Sequence, residues 1–181
     1  PTLYESYDVI GRMKEEFGLP NAIVTAGAGD NAAAAIGTGT VNNGDCNISL
    51  GTSGTVFVAG DNFSVDSKNA LHAFAHATGK WHLMGCILSA ASTNKWWIED
   101  ILSSTDYNGQ VEGAEALLGK NEVFFLPYLM GERSPINDTD ARGCFVGMTM
   151  DTTRADLVQA VLEGVAFAIR DSVEVARSLG I

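Results

Sequence analysis

Four small residues, Gly51-Thr52-Ser53-Gly54, interrupt an apolar and β-branched segment that spans residues 46–58. This pattern predicts a β-hairpin, because two strands need a tight turn between them and glycine suits the turn's backbone angles. A second hairpin is predicted over residues 70–88, with its turn at residues 78–80. Two successive hairpins predict that this part of the chain forms a β-sheet.

Helix signals flank the hairpins, as alanine-rich or amphipathic stretches that follow a capping residue or end at glycine. The predicted helices span residues 5–17, 89–102, 109–118 and 152–179. Short apolar runs predict further strands at residues 22–26 and 123–129. This order of elements indicates an α/β fold with a mixed sheet. Because the last helix leads into no further strand, we expect a fold that is truncated at both ends.

The charge of the chain argues against two classes of partner, and its cysteines bear on the cellular location. The 22 acidic residues outnumber the 11 basic ones, and lysine and arginine are scattered singly, so neither nucleic acid nor an anionic bilayer is an expected partner. No uncharged stretch reaches the roughly 18 apolar residues of a membrane span. Cys46, Cys86 and Cys144 lack CxxC spacing, and residues 1–7 do not resemble a secretory signal, which predicts a cytoplasmic location.

The sequence Gly27-Ala28-Gly29-Asp30-Asn31 joins a predicted strand to a short alanine-rich helix. Asp30 suits the N-cap of that helix, since aspartate is a favoured capping residue. Alternatively, Asp30 is a general base that accepts the proton of a hydroxyl attacking a phosphoryl group. The glycines also fit the G-x-G-x-x-A fingerprint of dinucleotide binding, although the helix is too short for a crossover. The sequence leaves all three interpretations open.

Other polar groups are weaker candidates. The turn at residues 51–54 can cradle a phosphate with backbone N–H groups and two hydroxyls, but a tight turn requires the same glycines. The three histidines, His72, His76 and His82, lack a cysteine or carboxylate at zinc-site spacing, so no metal site is predicted. Glu132 and Arg133 lie in a long polar loop at residues 131–143 and are expected to form a solvated ion pair.

Taken together, several segments resemble the FGGY family of carbohydrate kinases in order and in spacing. They are residues 29–33, 50–54, 88–92 and 125–135, followed by Gly147-Met148 and residues 156–164, which are similar to the family's C-terminal signature. The resemblance covers nearly the whole chain. Within the family, it is closest to the kinases that act on a pentulose.

The resemblance implies an actin-like, hexokinase-type (ribonuclease H-like) fold of two lobes, with sugar and Mg²⁺-ATP meeting in the cleft between them. Residues 1–43 would end the N-terminal, sugar-side lobe, and residues 44–181 would form most of the C-terminal, nucleotide-side lobe. The implied reaction transfers the γ-phosphate of ATP to the terminal hydroxyl of a pentulose. A gluconate, ribulose or glycerol kinase, or a non-catalytic binding relative, is the alternative, and a homodimer is compatible with each.

The resemblance also implies roles for individual residues. Asp30 matches the catalytic base and a sugar contact, and Asn31 a second sugar contact. The phosphate-binding turn would comprise Gly51, Thr52, Ser53 and Gly54, and Ser92 and Lys95 would contact the nucleotide. The family's first-lobe Asp-x-Gly-Thr hairpin, which helps to hold magnesium, and its glycine-rich adenosine segment are not recognised in these 181 residues. We therefore expect the 181 residues to be inactive by themselves.

Overall fold

The structure, a computed structural model, describes residues 2–181. Within that range it contains eight β-strands and four α-helices, joined by turns, loops and short 3₁₀ and π-helical segments. In chain order they are β1 (Val9–Arg12), β2 (Ile23–Thr25), α1 (Asp30–Gly37), β3 (Cys46–Leu50), β4 (Gly54–Gly60), β5 (His72–Ala75), β6 (Trp81–Ile87), α2 (Ala91–Trp96), α3 (Tyr107–Val111), β7 (Phe124–Leu126), β8 (Cys144–Val146) and α4 (Arg154–Ser178).

The central sheet has four strands in the order β3-β4-β6-β5. Both predicted hairpins are confirmed, since β3 pairs with β4 and β5 pairs with β6, and the two hairpins join through the β4–β6 pair. Two small sheets, β1-β2 and β7-β8, lie outside it. The predicted α/β class is confirmed. Every pair among these named strands is antiparallel, and an isolated bridge between Leu129 and Gly131 is parallel.

Helix α4 packs against the central sheet and forms the main core with it. The buried residues are Val56, Val58, Leu71, Leu83, Ile87, Ala90, Ala168, Ile169 and Ala176. Gly85 in β6 permits a close approach, because a Cβ atom there would lie 3.0 Å from the Ser172 Oγ atom of α4. The predicted start of this helix is confirmed, since Thr153 and Asp156 form a reciprocal capping box.

A second core forms where α2 meets α4 and β7. The predicted helix at residues 89–102 is observed as α2, which continues into a π-helical turn at Trp97–Ile101. Trp97 is buried, and the half-buried Trp96 ring stacks on Phe125 with ring centroids 6.3 Å apart. Both tryptophans are therefore core anchors, as predicted.

The prediction of a helix at residues 5–17 is wrong. Val9–Arg12 forms β1, which pairs with β2, and only Glu15–Phe17 makes a single 3₁₀ turn. Pairing with a distant strand outweighs the local helix-stop signal because the apolar residues of this stretch do not follow a helical period. The neighbouring strand β2 is confirmed, although two of its three residues are exposed.

The predicted helix at residues 109–118 is broken in two. Helix α3 ends at Val111, and a separate 3₁₀ turn occupies Ala114–Leu117. Gly113 lies between them with φ of 82°, a left-handed conformation that ends a helix. The strand β8, which pairs with β7, has no counterpart in the sequence analysis.

Candidate active site

Asp30 is the first residue of α1, and it is exposed. Its Oδ1 atom accepts hydrogen bonds from the Asn31 backbone N–H at 2.8 Å and from Asn31 Nδ2 at 3.3 Å. The Oδ2 atom accepts no hydrogen bond within residues 2–181. The interpretation of Asp30 as the N-cap is corrected, because Gly29 occupies that position in an extended conformation. Asp30 thus presents one carboxylate oxygen that is able to accept a proton.

Helix α1 is attached to the sheet that carries the candidate phosphate-binding turn. Ala35 is 1% exposed and packs against Phe57 and Ala59 of β4. At the end of the helix, Thr38 Oγ1 accepts a 3.1 Å hydrogen bond from Asn47 Nδ2 of β3. The alanines of α1 permit this close contact, because a larger side chain would hold the helix away from the strands. The base of the hairpin and the helix of Asp30 therefore form one packed unit.

The dinucleotide interpretation of the glycine segment is wrong. The strand before α1 is β2 and the strand after it is β3, and these belong to different sheets. A dinucleotide fingerprint requires the helix to cross between parallel neighbouring strands of one sheet. Helix α1 makes no such crossover.

Residues 51–53 form the turn between β3 and β4, and its carbonyl oxygens are bound to the start of α2. The Ala91 N–H donates to the Gly51 oxygen at 2.9 Å and the Ala90 N–H to the Thr52 oxygen at 3.1 Å. The Ser92 hydroxyl donates a further 2.7 Å bond to the Thr52 oxygen. The backbone N–H groups of Thr52 and Ser53 make no backbone hydrogen bond within the described part of the chain. The turn is fixed through its acceptors, and these donors remain available for an anion.

Gly54 makes the contact between this turn and α2 possible. A Cβ atom at position 54 would lie 2.8 Å from Ile87 Cγ1 and 3.1 Å from the Ala90 Cβ atom. Both distances are shorter than ordinary van der Waals contacts, so no larger residue fits without displacing the turn or the helix. Glycine at this position was predicted from turn geometry alone, and the packing adds a second requirement.

The two residues that were matched to the nucleotide occupy different surroundings. Ser92 is half-buried and contacts the turn directly. Lys95 lies one turn further along α2, and its ammonium group is 3.8 Å from Glu99 in an exposed ion pair. Such an exposed pair contributes little stability. Nucleotide contact by either residue remains a prediction.

Two concave surfaces adjoin the start of α2. A largely apolar groove of about 860 Å³ runs between α4 and the edge strand β3, and it reaches Leu50, Ala90 and Ala91 beside the turn. A smaller cavity of about 320 Å³ is lined by Ser89, Ser92, Trp96, Leu129 and Met130. Asp30 lines neither of them, so its predicted approach to the turn remains a prediction.

Glu132 is buried, contrary to the prediction from the sequence. It was expected to form a solvated ion pair with Arg133, but it is 1% exposed and no salt bridge joins the two side chains. Instead, Glu132 Oε1 accepts hydrogen bonds from the Leu88 N–H at 2.8 Å and the Arg133 N–H at 2.7 Å. Burial raises the pKa of Glu132 above its ordinary value, and the two N–H donors oppose that rise.

The buried histidines link the second hairpin to Thr40, just after α1, and to Phe57 of β4. His76 Nδ1 accepts from the Thr78 N–H, so its Nε2–H donates to the Thr40 carbonyl oxygen at 3.0 Å. His82 stacks on Phe57 with ring centroids 3.9 Å apart, and burial, aided by the nearby His76, lowers the pKa of His82 to about 4. His72 is exposed. No group of three or more histidine, cysteine or carboxylate side chains suited to a metal ion occurs in residues 2–181.

Comparison with solved structures defines the class of protein to which this sheet and helix arrangement belongs. The structure superimposes on that of a protein named xyloylose kinase from Brucella ovis, with a TM-score of 0.90 and 46% identity over 99% of this chain and 37% of that one. It superimposes on a gluconate kinase from Lactobacillus acidophilus with a TM-score of 0.89 and 27% identity over 97% of this chain and 37% of that one. The fold is thus the actin-like fold of sugar kinases.

The family follows from the sequence match. Residues 46–181 match the model described as the C-terminal domain of the FGGY family of carbohydrate kinases. The chain belongs to the FGGY family, and the resemblance stated above is confirmed. The xylulose kinases of Klebsiella pneumoniae and of Escherichia coli K12 are 40% and 38% identical to it over its full length. The chain spans 38% of the length of these curated relatives. None of the helices in residues 2–181 has the length and apolar character needed to cross a membrane.

Proposed function

We propose that this chain is part of an ATP-dependent kinase that transfers the γ-phosphate of ATP to the terminal hydroxyl of a pentulose. The preferred substrate is D-xylulose, which becomes D-xylulose 5-phosphate. The identity with xylulose kinases over the full length of the chain supports this choice. Because the chain spans 38% of their length, the activity is assigned to the whole protein, and the 181 residues alone are expected to be inactive.

The observation that carries the proposal is the exposed Asp30 carboxylate at the start of α1, with Oδ2 accepting no hydrogen bond from the described residues. In the proposed reaction, the sugar hydroxyl oxygen forms a bond to the γ-phosphorus, and the bond between that phosphorus and the bridging oxygen breaks to release ADP. The hydroxyl proton passes to Asp30. Such transfer depends mainly on orientation and electrostatics, so it does not require a strong base.

In the proposed reaction, Asn31 orients the carboxylate of Asp30. Its backbone N–H and side-chain amide both donate to Oδ1 of Asp30, which leaves the second oxygen for the substrate. The Asn31 side-chain amide also has a carbonyl oxygen and a second N–H that suit sugar hydroxyls. We assign Asp30 and Asn31 together to the sugar side of the site.

The turn at residues 51–54 is assigned to the phosphates of ATP. Its support is the arrangement described above, in which the carbonyl oxygens are bound to α2 while the Thr52 and Ser53 N–H groups are not used by the backbone. Backbone donors of this kind bind phosphate without a positive charge nearby. Ser92 and Lys95 are assigned to the same, nucleotide side, with Ser92 acting in part through Thr52.

The boundary between the two lobes is proposed at residues 43 and 44, and the start of the family match at residue 46 supports it. The Asp45 carboxylate accepts hydrogen bonds from the Val41 and Asn42 N–H groups, at 3.1 and 2.8 Å, and these bonds lower the pKa of Asp45. Residues 41–45 thus form a fixed connection between α1 and β3.

Magnesium is proposed only as the partner of ATP. Mg²⁺ prefers carboxylate, phosphate and water oxygens in octahedral geometry. Residues 2–181 contain no cluster of three or more ligating side chains. We therefore assign no described residue as a magnesium ligand, and no step of the proposed reaction is assigned to the ion.

The test is a substrate screen of the whole protein with ATP and D-xylulose, D-ribulose, gluconate and glycerol, with ADP release as the readout. The proposal expects the highest kcat/KM with D-xylulose. A preference for gluconate or glycerol would contradict the assigned sugar, and sugar binding without ADP release would favour the non-catalytic alternative. A cytoplasmic location and a homodimer stay predictions, to be checked by cell fractionation and analytical ultracentrifugation.

A further inference from the structure

Glu132 is the buried carboxylate that the proposed reaction does not use. It lies in the polar loop at residues 131–143, most of which is exposed, yet it is 1% exposed itself. A carboxylate in such surroundings is costly unless hydrogen bonds compensate it, and no basic side chain within residues 2–181 forms a salt bridge with it. Its compensation comes from two backbone N–H groups that bind one oxygen, Oε1.

One of these donors belongs to a distant part of the chain. Leu88, which is 44 positions away, lies just after β6 and just before α2. The same loop is held at a second point, because the Ser134 N–H donates to the Cys86 carbonyl oxygen at 3.1 Å. Glu132 is also fixed through its own backbone, which exchanges two hydrogen bonds with Asp138 at 2.8 and 2.9 Å. The carboxylate is therefore a rigid acceptor for the β6–α2 junction.

That junction is the segment that holds the turn assigned to phosphate. Within four residues of Leu88, the N–H groups of Ala90 and Ala91 and the hydroxyl of Ser92 all donate to carbonyl oxygens of Gly51 or Thr52. A continuous series of hydrogen bonds and short backbone links therefore runs from Glu132 through the junction to the turn. Loss of the Glu132 acceptor would leave the Leu88 N–H without its partner and free the junction to shift.

We propose that Glu132 is a positioning residue for the nucleotide: it fixes the β6–α2 junction and thereby the turn at residues 51–54. This inference rests on the assignment of that turn to the ATP phosphates. Glu132 acts through Leu88 and makes no contact with substrate. Its effect is therefore specific to the nucleotide side, since Asp30 and Asn31 lie on α1, which is attached to the sheet by other contacts.

The test compares Glu132→Ala with Glu132→Gln in the whole protein. Glutamine keeps an oxygen at the position of Oε1 and can still accept the Leu88 N–H, whereas alanine cannot. Glu132→Ala should raise the KM for ATP or lower kcat by roughly 10- to 100-fold, the loss produced when a reacting group is misplaced by about 1 Å. The KM for the sugar should stay within about twofold, and Glu132→Gln should restore most of the nucleotide effect. The exposed Glu112→Ala serves as the control for loss of a carboxylate.

Hydrogen–deuterium exchange gives a second readout that does not depend on turnover. Glu132→Ala should speed exchange in the peptide that covers residues 88–92, and Glu132→Gln should not. If the alanine variant does not fold, Glu132→Asp takes its place, because its carboxylate is one methylene short of the Leu88 N–H.

The outcomes separate this inference from the proposed function. An active wild type whose alanine variant keeps its KM for ATP and its kcat, or loses sugar and ATP affinity equally, overturns the positioning role alone. A glutamine variant as impaired as the alanine variant also overturns it. A wild-type protein that phosphorylates none of the tested sugars overturns the proposed function and this inference together.

Discussion

The hydroxyl of Ser92 donates a 2.7 Å hydrogen bond to the carbonyl oxygen of Thr52, 40 positions earlier in the chain. This bond joins the first turn of α2 to the turn between β3 and β4. It explains how a loop of four small residues, which alone would be mobile, is held in one conformation. The same arrangement leaves the Thr52 and Ser53 N–H groups available for an anion.

Replacing Ser92 by alanine removes this bond and should destabilise the whole protein by about 1 kcal/mol, the usual net contribution of one hydrogen bond. It should also raise the KM for ATP several-fold while the KM for the sugar is unchanged. Thermal unfolding and steady-state kinetics measure the two effects. Ser178→Ala is the matched control, since Ser178 also donates a 2.7 Å bond to a carbonyl oxygen, but within α4. Equal kinetic effects in the two variants would refute the role of the Ser92 bond.

Gly54→Ala tests the packing of the turn. The added Cβ atom would lie 2.8 Å from Ile87 Cγ1 of β6 and 3.1 Å from the Ala90 Cβ atom at the start of α2, so the turn would have to shift away from them. We expect a loss of about 1–3 kcal/mol, typical of overpacking in a well-filled core. The control is Gly37→Ala, where no neighbouring atom lies within 4 Å of the added carbon and the helical position favours alanine by up to about 1 kcal/mol. Chemical denaturation should show a lower free energy of unfolding for Gly54→Ala and a higher one for Gly37→Ala. An unchanged free energy of unfolding in Gly54→Ala would be inconsistent with the close contact.

His82 makes stability depend on pH. Its pKa is about 4 in the folded protein against 6.5 for an ordinary histidine, so the unfolded chain binds the additional proton between these values. Burial of the neutral His82 therefore costs no stability above pH 6.5. As the pH falls from 6.5 towards 4, protonation of His82 in the unfolded chain lowers the free energy of unfolding. His82→Leu should show a smaller loss of melting temperature between pH 7 and pH 5 than the wild type does. The exposed His72→Leu is the control, and identical pH profiles for wild type and His82→Leu would exclude this role.

The hairpins were predictable because their information is local. Small residues mark the turn at 51–54, and apolar and β-branched residues flank it, so the strand boundaries follow from the sequence. The start of α4 was equally readable, since Thr153 and Asp156 stand three residues apart at its first turn. In these segments the local preference and the final packing agree.

The burial of Glu132 was not predictable from its neighbours. Its surroundings in sequence are polar, and the partner that accounts for its position, the Leu88 N–H, lies 44 residues away. The three-residue strand β8 escaped notice for the same reason, because only its pairing with β7 defines it. The turn at residues 51–54 and Asp30 were thus predictable from the local sequence. The role of Glu132 was not, because it depends on the backbone N–H of a residue far away in the chain.

The central claim is that Asp30 is the base of a sugar kinase, and the most direct measurement is the turnover of D-xylulose by the whole protein carrying Asp30→Asn. Asparagine retains the size of the side chain but cannot take up the hydroxyl proton, so kcat should fall by about 10²–10⁴-fold while the affinity for the sugar is nearly unchanged. Asp100→Asn, an exposed aspartate in the π-helical turn after α2, should behave like the wild type. An Asp30→Asn variant that turns over D-xylulose at close to the wild-type rate would contradict the account.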